Sequence, residues 1–381
     1  MAVNLQDVER QKEALFKKHP KLNDLRIVHF CDAELSYREL SDFIEKCWRH
    51  DYGDQARIVF SAESLAYNIP DLQAEKISTA AEMDGRLIGL VLGIETDFAF
   101  DGKVIRAFIG TGLSTDPNSR ARGISQLMWL NSIEQFLENH ASVAFTWLDV
   151  RHGWAGSSYS TYGGDPSKVH FKKIVDLYAK AIDREKTAAV GKLSGLERLG
   201  IQATSVMFPA KIDLPRHFEL EAGSRAVARD YADFIHEFQG DNDIKRYFSE
   251  DELGRRISFS KGRVNGVALA VRGGVWGQVQ ALVYGFTNPV KDGDNYFQVD
   301  GLIFHPDLSY THKRRILSSF EKTISDRYGS FSIVVPGNVS TDNLIKYGYL
   351  PVEKQALCLV CENGDIDIKN QRMDKLFLEL R

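Results

Sequence analysis

The sequence predicts an α/β (α+β) fold in two similar halves, each a mixed, mostly antiparallel sheet flanked by helices. Three observations point there. At 76–83, 86–100 and 103–113, stretches rich in apolar and β-branched residues are separated by Asp84-Gly85 and Asp101-Gly102, dipeptides suited to two-residue hairpins. A helical pattern at 122–139 and an apolar run at 142–150 follow. The same order returns at 264–272, 275–286 and 295–304, then 313–328 and 331–335, in a chain whose 381 residues exceed what one core usually holds.

Residues 1–24 interleave acidic and basic side chains through an amphipathic pattern and make an N-terminal helix. Residues 25–30 read as a strand, and 34–48 as a helix with Leu35, Leu40, Phe43, Ile44 and Cys47 on one side. The three hairpin strands come next. A helix joins the last of them to the strand at 142–150, so those two strands are expected to be parallel. Residues 151–167 are rich in Gly and Ser, with Trp154, Tyr159 and Tyr162 interleaved; 168–185 carry the pattern of an amphipathic helix and 202–212 that of a strand. The first half is then 25–214 and the second 215–381.

Spacing separates the halves further. Pro306 precedes Gly348 by 42 positions, whereas Pro117 precedes Gly200 by 83. The excess places an insertion near 151–192, and long structured insertions usually carry function or cover something that does.

Composition bounds the partners. A formal net charge of −4 and a pI near 6.2 leave no overall basic footprint for nucleic acid. The first residues lack the uninterrupted apolar core of a secretory signal, and no stretch approaches the roughly 18 apolar residues of a membrane span, so a cytoplasmic chain with no membrane partner is expected. Cys31, Cys47, Cys358 and Cys361 do not make a zinc set; the last two sit in ALCLVC, which reads as a strand, and no metal is expected.

The stretch 104–125 changes character midway. Residues 104–113 are strand-like, Thr115-Asp116-Pro117 breaks the strand, and from Ile124 apolar residues recur at helical spacing. Between them lie Arg120, Arg122 and Gly123. The first amides of a helix have no intrahelical partner and sit at the positive end of its dipole, so such a join suits an anion. The arginines add charge, and Gly123 permits close approach to the backbone. Two solvated arginines in an ordinary strand-to-helix turn would have the same composition.

The order Thr115-Asp-Pro117-Asn-Ser-Arg120-Ala-Arg122-Gly123-Ile-Ser125 resembles motif A of the GNAT superfamily of N-acetyltransferases, V-x-P-x-x-R/Q-x-x-G-x-G/A. Ser125 replaces the second small residue. The resemblance implies a tandem GNAT fold, with acetyl-CoA or another acyl-CoA held by Leu113, Ser114, Thr115, Arg120, Ala121, Arg122, Gly123, Ile124 and Ser125. In the second half, His312 and Arg314 stand where Gly123 and Ser125 stand, counting from Pro306, which marks that half as degenerate. Leu196-Glu-Arg-Leu-Gly200-Ile201 and Asn343-Leu-Ile-Lys-Tyr347-Gly348-Tyr349 resemble the family's Y-E-K-L-G-F, but Leu196 and Leu344 hold the place of its acid tyrosine.

Proton transfer must therefore come from elsewhere. Asp149, His152 and Tyr162 are the catalytic candidates, and Trp154 and Tyr159 the candidates for the acceptor wall; a strand-end aspartate and a surface histidine would read alike. In some tandem members the C-terminal carboxylate is the base, which would engage Arg381 at the end of MDKLFLELR, although a short helix covering a core has the same pattern. The resemblance implies transfer of an acetyl or other acyl group from coenzyme A to a small-molecule amine by direct attack in a ternary complex. Long-chain acyl transfer and acyl-CoA sensing without turnover are the alternatives.

Overall fold

Helix caps and tight turns fix the first half. Asn4 caps α1 (Leu5–Lys18) by accepting the Asp7 amide, and Ser61 caps α3 (Ala62–Asn68) through Ser64; between them lie β1 (Arg26–His29) and α2 (Tyr37–Tyr52). Asp84 and Gly85 have φ of 51° and 72°, and Asp101 and Gly102 47° and 72°. These left-handed pairs are what two-residue hairpins require. They fold β2 (Thr79–Met83), β3 (Arg86–Phe100) and β4 (Lys103–Thr115) into the expected meander, followed by α4 (Ile124–Glu138) and the parallel strand β5 (Val143–Asp149). The computed structural model describes residues 4–52, 60–72, 76–120, 122–139, 141–149, 170–191, 201–202, 208, 213–240, 243–274, 277–290, 294–362 and 376–377.

The chain continues through β6 (His170–Ala181), α5 (Arg184–Gly191), β7 (Glu219–Ala222), α6 (Ala228–Phe238), β8 (Ile244–Tyr247), α7 (Glu250–Ile257) and β9 (Ser260–Lys261). A second meander of β10 (Val264–Gly273), β11 (Gln278–Pro289) and β12 (Asn295–Phe304) leads to α8 (Tyr310–Tyr328), the parallel strand β13 (Ser330–Pro336), β14 (Leu350–Glu362) and β15 (Leu376–Phe377). Among the described residues no helix is long and apolar enough to cross a membrane.

One sheet runs through both halves in the order β1-β2-β3-β4-β5-β14-β6-β13-β12-β11-β10-β7. Its centre is an exchange. β14, from the end of the chain, pairs antiparallel with β5 of the first half, while β6 pairs antiparallel with both β14 and β13. The helix expected at 168–185 is thus a strand over most of its length. Its apolar residues fit a period of 2 as well as 3.6, and the two partner ladders decide the matter. The segment 376–377 is likewise extended, adding in parallel to β8 rather than forming a helix. The strand expected at 202–212 falls, apart from Gln202 and Phe208, outside the described residues.

Helices cover both faces. α1 and α4 pack on one face of the first half through Val8, Leu15, Leu127, Trp129 and Phe136, while α2 and α3 cover the other through Leu40, Phe43, Ile44 and Leu65. Lys12 fastens α1 to α4 by donating to Asn131 Oδ1 at 2.9 Å and Glu134 Oε2 at 2.6 Å. In the second half, α6, α7 and α8 enclose the remaining core. The exchanged strand is anchored there: Lys180 of β6 donates to both oxygens of Glu321 at 2.9 and 2.8 Å and to the Tyr347 carbonyl at 3.0 Å, and Tyr349 Oη donates to Glu321 at 3.1 Å. Burial raises the Glu321 carboxyl above its usual range, opposed by Lys180.

Candidate functional site

The parallel ladder between β4 and β5 is short. It joins Ala107 to Val143 and ends at Gly110 and Thr146, where Thr146 Oγ1 donates to the Gly110 carbonyl at 3.0 Å. Beyond that apex β4 follows β3 to Thr115, while β5 follows β14 to Asp149. The strands fork.

A bulge in β4 bends it away. Leu92 pairs with Thr111 and Leu90 with Ser114, so Val91 faces both Gly112 and Leu113, and Gly112 takes a φ of 60°. Such a bulge re-aims a strand, and glycine is the residue that adopts this φ without strain. Ser114 holds the bend: its hydroxyl donates to the Gly112 carbonyl at 3.0 Å and accepts from Trp48 Nε1 of α2 at 3.2 Å. Leu113 packs into the α4-side core.

Behind the fork, the chain turns into α4. Asp116 accepts from the Asn118 amide at 2.9 Å and pairs with Lys46 of α2; the Lys46 hydrogen bond holds its carboxyl below the usual range, against some burial. Arg120 grips Asp51 of α2 with both terminal nitrogens, one at 2.8 Å, and reaches the Thr115 carbonyl at 3.3 Å. Its charge is therefore matched within the protein, and it orders the turn. Arg122 is exposed with no ion pair among the described residues, Ser125 is half-buried, and Ala121 lies outside the described residues.

The helix start is open. Gly123 is the N-cap of α4 with a φ of 78°, no side chain caps the first amides, and no acidic residue occupies the first turn. Ile124 turns into the core. A methyl group on Gly123 would meet Leu15 Cδ1 at 3.0 Å, His19 Cδ2 at 3.1 Å and Leu22 Cδ1 at 3.2 Å. The bareness that the sequence reading gave to a ligand also lets the N-terminal helix pack here.

The second half closes the equivalent features with its own chain. β12 and β13 pair from Asn295 to Gln298 and then diverge, but Leu302 bridges Ser340, the Thr341 amide donates to the Leu302 carbonyl at 3.1 Å, and the Phe304 amide donates to Thr341 Oγ1 at 3.1 Å. Ser309 caps α8 by accepting the His312 amide at 3.2 Å. This corrects the counting from Pro306: the turn is shorter, Ser309 takes the place of Gly123, and His312 lies inside the helix, its ring 5.6 Å from His217 and 5.4 Å from Phe218.

The expected catalytic group is only partly placed. The Asp149 backbone ends β5 opposite Gln355, at the fork's mouth; His152, Trp154, Tyr159, Tyr162, Leu196 and Arg381 lie outside the described residues. The structure adds Lys46, Trp48 and Asp51, three residues on one helix that brace the turn. Their approach spans 66 to 70 positions of sequence, for which no local pattern exists. Cys47 beside them is buried, which pushes its thiol up to about 11 and makes it a poor nucleophile. Cys358 and Cys361 fall in β14, as the apolar run predicted, and among the described residues no cluster of ligating side chains suits a metal. A separate cavity of about 690 Å³ opens between α2 and the β2–β3 turn, lined by Asp32, Glu39, Asp42 and Glu82 among others, and reaches the turn only through Lys46.

The fold has close counterparts among solved structures. Saccharomyces cerevisiae N-myristoyltransferase with bound myristoyl-CoA and inhibitors matches with a TM-score of 0.67 and 9% identity over 94% of this chain and 87% of that one. A second structure of it, with bound myristoyl-CoA, gives 0.68 and 9% over 94% and 85%. A probable N-acyltransferase of unknown function from Enterococcus faecalis gives 0.52 and 11% over 87% and 72%. The sequence matches no protein-family model and no curated protein. The tandem GNAT-type architecture expected from the sequence is the architecture of this chain.

Proposed function

We propose that the chain is an acyl-CoA-dependent N-acyltransferase whose first half holds the donor. The observation that carries this reading is the contrast between the forks: one opens onto an uncapped helix start, the other is filled by its own chain and capped by Ser309. The likeness in fold to a protein determined with bound myristoyl-CoA supports it.

In this reading the donor's pyrophosphate meets the amides and cations of 120–125, with Arg120 shaping the turn and Arg122 and Gly123 meeting the anion. The pantetheine arm follows the edge of β4 along Leu113, Ser114 and Thr115, which β5 has left. The acceptor, a small-molecule amine, enters from the mouth of the fork beside Asp149, with Trp154 and Tyr159 as its wall. Its nitrogen attacks the thioester carbon, the C–N bond forms as the C–S bond breaks, the amine proton passes to a base and the sulfur leaves as the CoA thiol. Asp149 and His152 are the proposed bases and Tyr162 the proposed acid. The donor acyl group is acetyl or another acyl.

Acetyl-CoA should raise the melting temperature, and Arg122→Glu should abolish the shift, since it reverses the exposed charge proposed to meet the phosphates without touching the packing around Gly123. Release of CoA thiol across a panel of amines then measures turnover. No shift with free CoA or any thioester would refute donor binding; a shift without thiol release from any amine would favour a sensor.

A further inference from the structure

We propose that Trp129 makes this a short-acyl enzyme by closing the fork at its apex. The inference rests on the acyl-CoA reading above and adds the acyl chain that the site takes. A tail entering between β4 and β5 reaches Gly110 and Thr146, where the ladder closes the gap between the backbones. To go on it must leave by one face of the sheet.

Both faces are filled. On the α4 face Gly110 offers no side chain, and the indole of Trp129 lies directly on it: a methyl group built on Gly110 would sit 2.7 Å from both Cη2 and Cζ3 of the ring. Not even one carbon fits between them. Trp129 is 1% exposed and continues into Phe108, 6.2 Å between ring centroids, and through it to Phe136 at 6.1 Å. On the opposite face Ile109 and Phe145 are buried, with Phe98 packed on Phe145 at 6.2 Å. A tail longer than the fork must displace a packed ring, and close-packed interiors resist that.

The α4 face is the one a substitution opens. Because Gly110 contributes nothing there, the indole is what stands closest over the apex, with Phe108 Cζ next at 3.5 Å from the same methyl position, and the core it packs in, with Phe108, Ile133 and Ala144 among its members, is apolar. Shortening Trp129 vacates the volume of the indole itself, next to the apex of the fork. The fold's likeness to a structure with bound myristoyl-CoA does not extend to chain length, which this ring sets.

The test measures dissociation constants of free CoA and of acetyl-, butyryl-, octanoyl- and myristoyl-CoA for the full chain and for Trp129→Leu. Each methylene buried in an apolar site strengthens binding about fourfold. In the parent protein that gain should stop within the first few carbons. In Trp129→Leu it should extend to octanoyl-CoA, improving that ligand at least about tenfold over the parent while free CoA is unchanged. Continued gain to myristoyl-CoA in the parent overturns the proposal without any variant. So does a length profile in Trp129→Leu that parallels the parent; if that variant does not fold, Trp129→Phe is read in the same way, with a smaller extension expected. Failure of free CoA and every thioester to bind the parent removes the acyl-CoA reading and this inference together, whereas binding with an unaltered profile removes this inference alone.

Discussion

Replacing Lys180 by methionine tests whether the exchanged strand is held by its buried ion pair. The substitution keeps the length and apolar stem of the side chain and deletes three hydrogen bonds, two to Glu321 and one to the Tyr347 carbonyl. Glu321 is 0% exposed, so it is left without its countercharge inside the core. Removing one partner of a buried pair costs about 3–5 kcal/mol. At about 2 °C per kcal/mol, the low end for large domains, the melting temperature should fall by about 6–10 °C at neutral pH. Glu321 already has a raised pKa in the folded state, so its contribution to stability is lost as pH rises from the unfolded carboxylate range through the folded value. Without Lys180 the folded value rises further, and the deficit should be large at pH 7.5 and shrink toward pH 5. Scanning calorimetry of Lys180→Met, Glu321→Gln and the double variant at both pH values decides the matter. A loss below about 1 kcal/mol at pH 7.5, or a double variant no more stable than Lys180→Met, would refute the reasoning.

Two further outcomes concern the turn. Arg120→Leu leaves Asp51, among the described residues, with only the neighbouring His50 ring, 3.3 Å away, and frees the Thr115 carbonyl, so CoA should bind about tenfold more weakly in calorimetry with little change in melting temperature; unchanged affinity would show that the turn is ordered without it. Lys46→Met removes the hydrogen bond that chiefly lowers the Asp116 pKa, and the titration of Asp116, followed by NMR, should move up toward 3.8. Because a lowered carboxylate pKa stabilises above the unfolded value and is lost as pH falls through the folded one, the variant should also unfold at a higher pH during acid titration.

What the sequence made legible was local. The Asp-Gly hairpins, both meanders and the first meander-to-helix join depend on neighbours a few positions apart, and they lie where the patterns put them, whereas the second join is shorter than the count from Pro306 made it. β6 has the sequence pattern of a helix because Ile174, Val175, Leu177 and Tyr178 satisfy two periods, and the ladders that choose between them come from 330–336 and 350–362. α7 carries its own local signal in Ser249 and Glu252, a capping pair in which the Glu252 amide donates to the Ser249 hydroxyl at 3.1 Å. At the site, Gly123 and the bend after Thr115 were visible, whereas the Asp51 that neutralises Arg120 was not. Gly110 did carry a signal, since glycine inside an apolar strand marks close approach, but only the structure identifies Trp129 as what approaches.

The exchange of strands explains why the half with the filled fork remains attached to the half with the open one. One wall of the open fork is β5, and its ladder with β4 is only the short stretch ending at Gly110 and Thr146. Its long ladder, from Val143 through Asp149, is with β14, encoded by 350–362. β14 in turn is covered by β6, and β6 by β13 of the second meander. Removing the second half would leave β5 as a sheet edge beyond the apex, with unpaired backbone groups and Phe145 without Leu357 and Leu359 from its cluster. An edge strand held by so short a ladder would not keep a fixed angle to β4, and the width of the fork is that angle. The second half is therefore tied to the site through the strand it supplies, and its own fork was free to fill with Ser340 and Thr341 because nothing in the geometry of the first depends on its staying open.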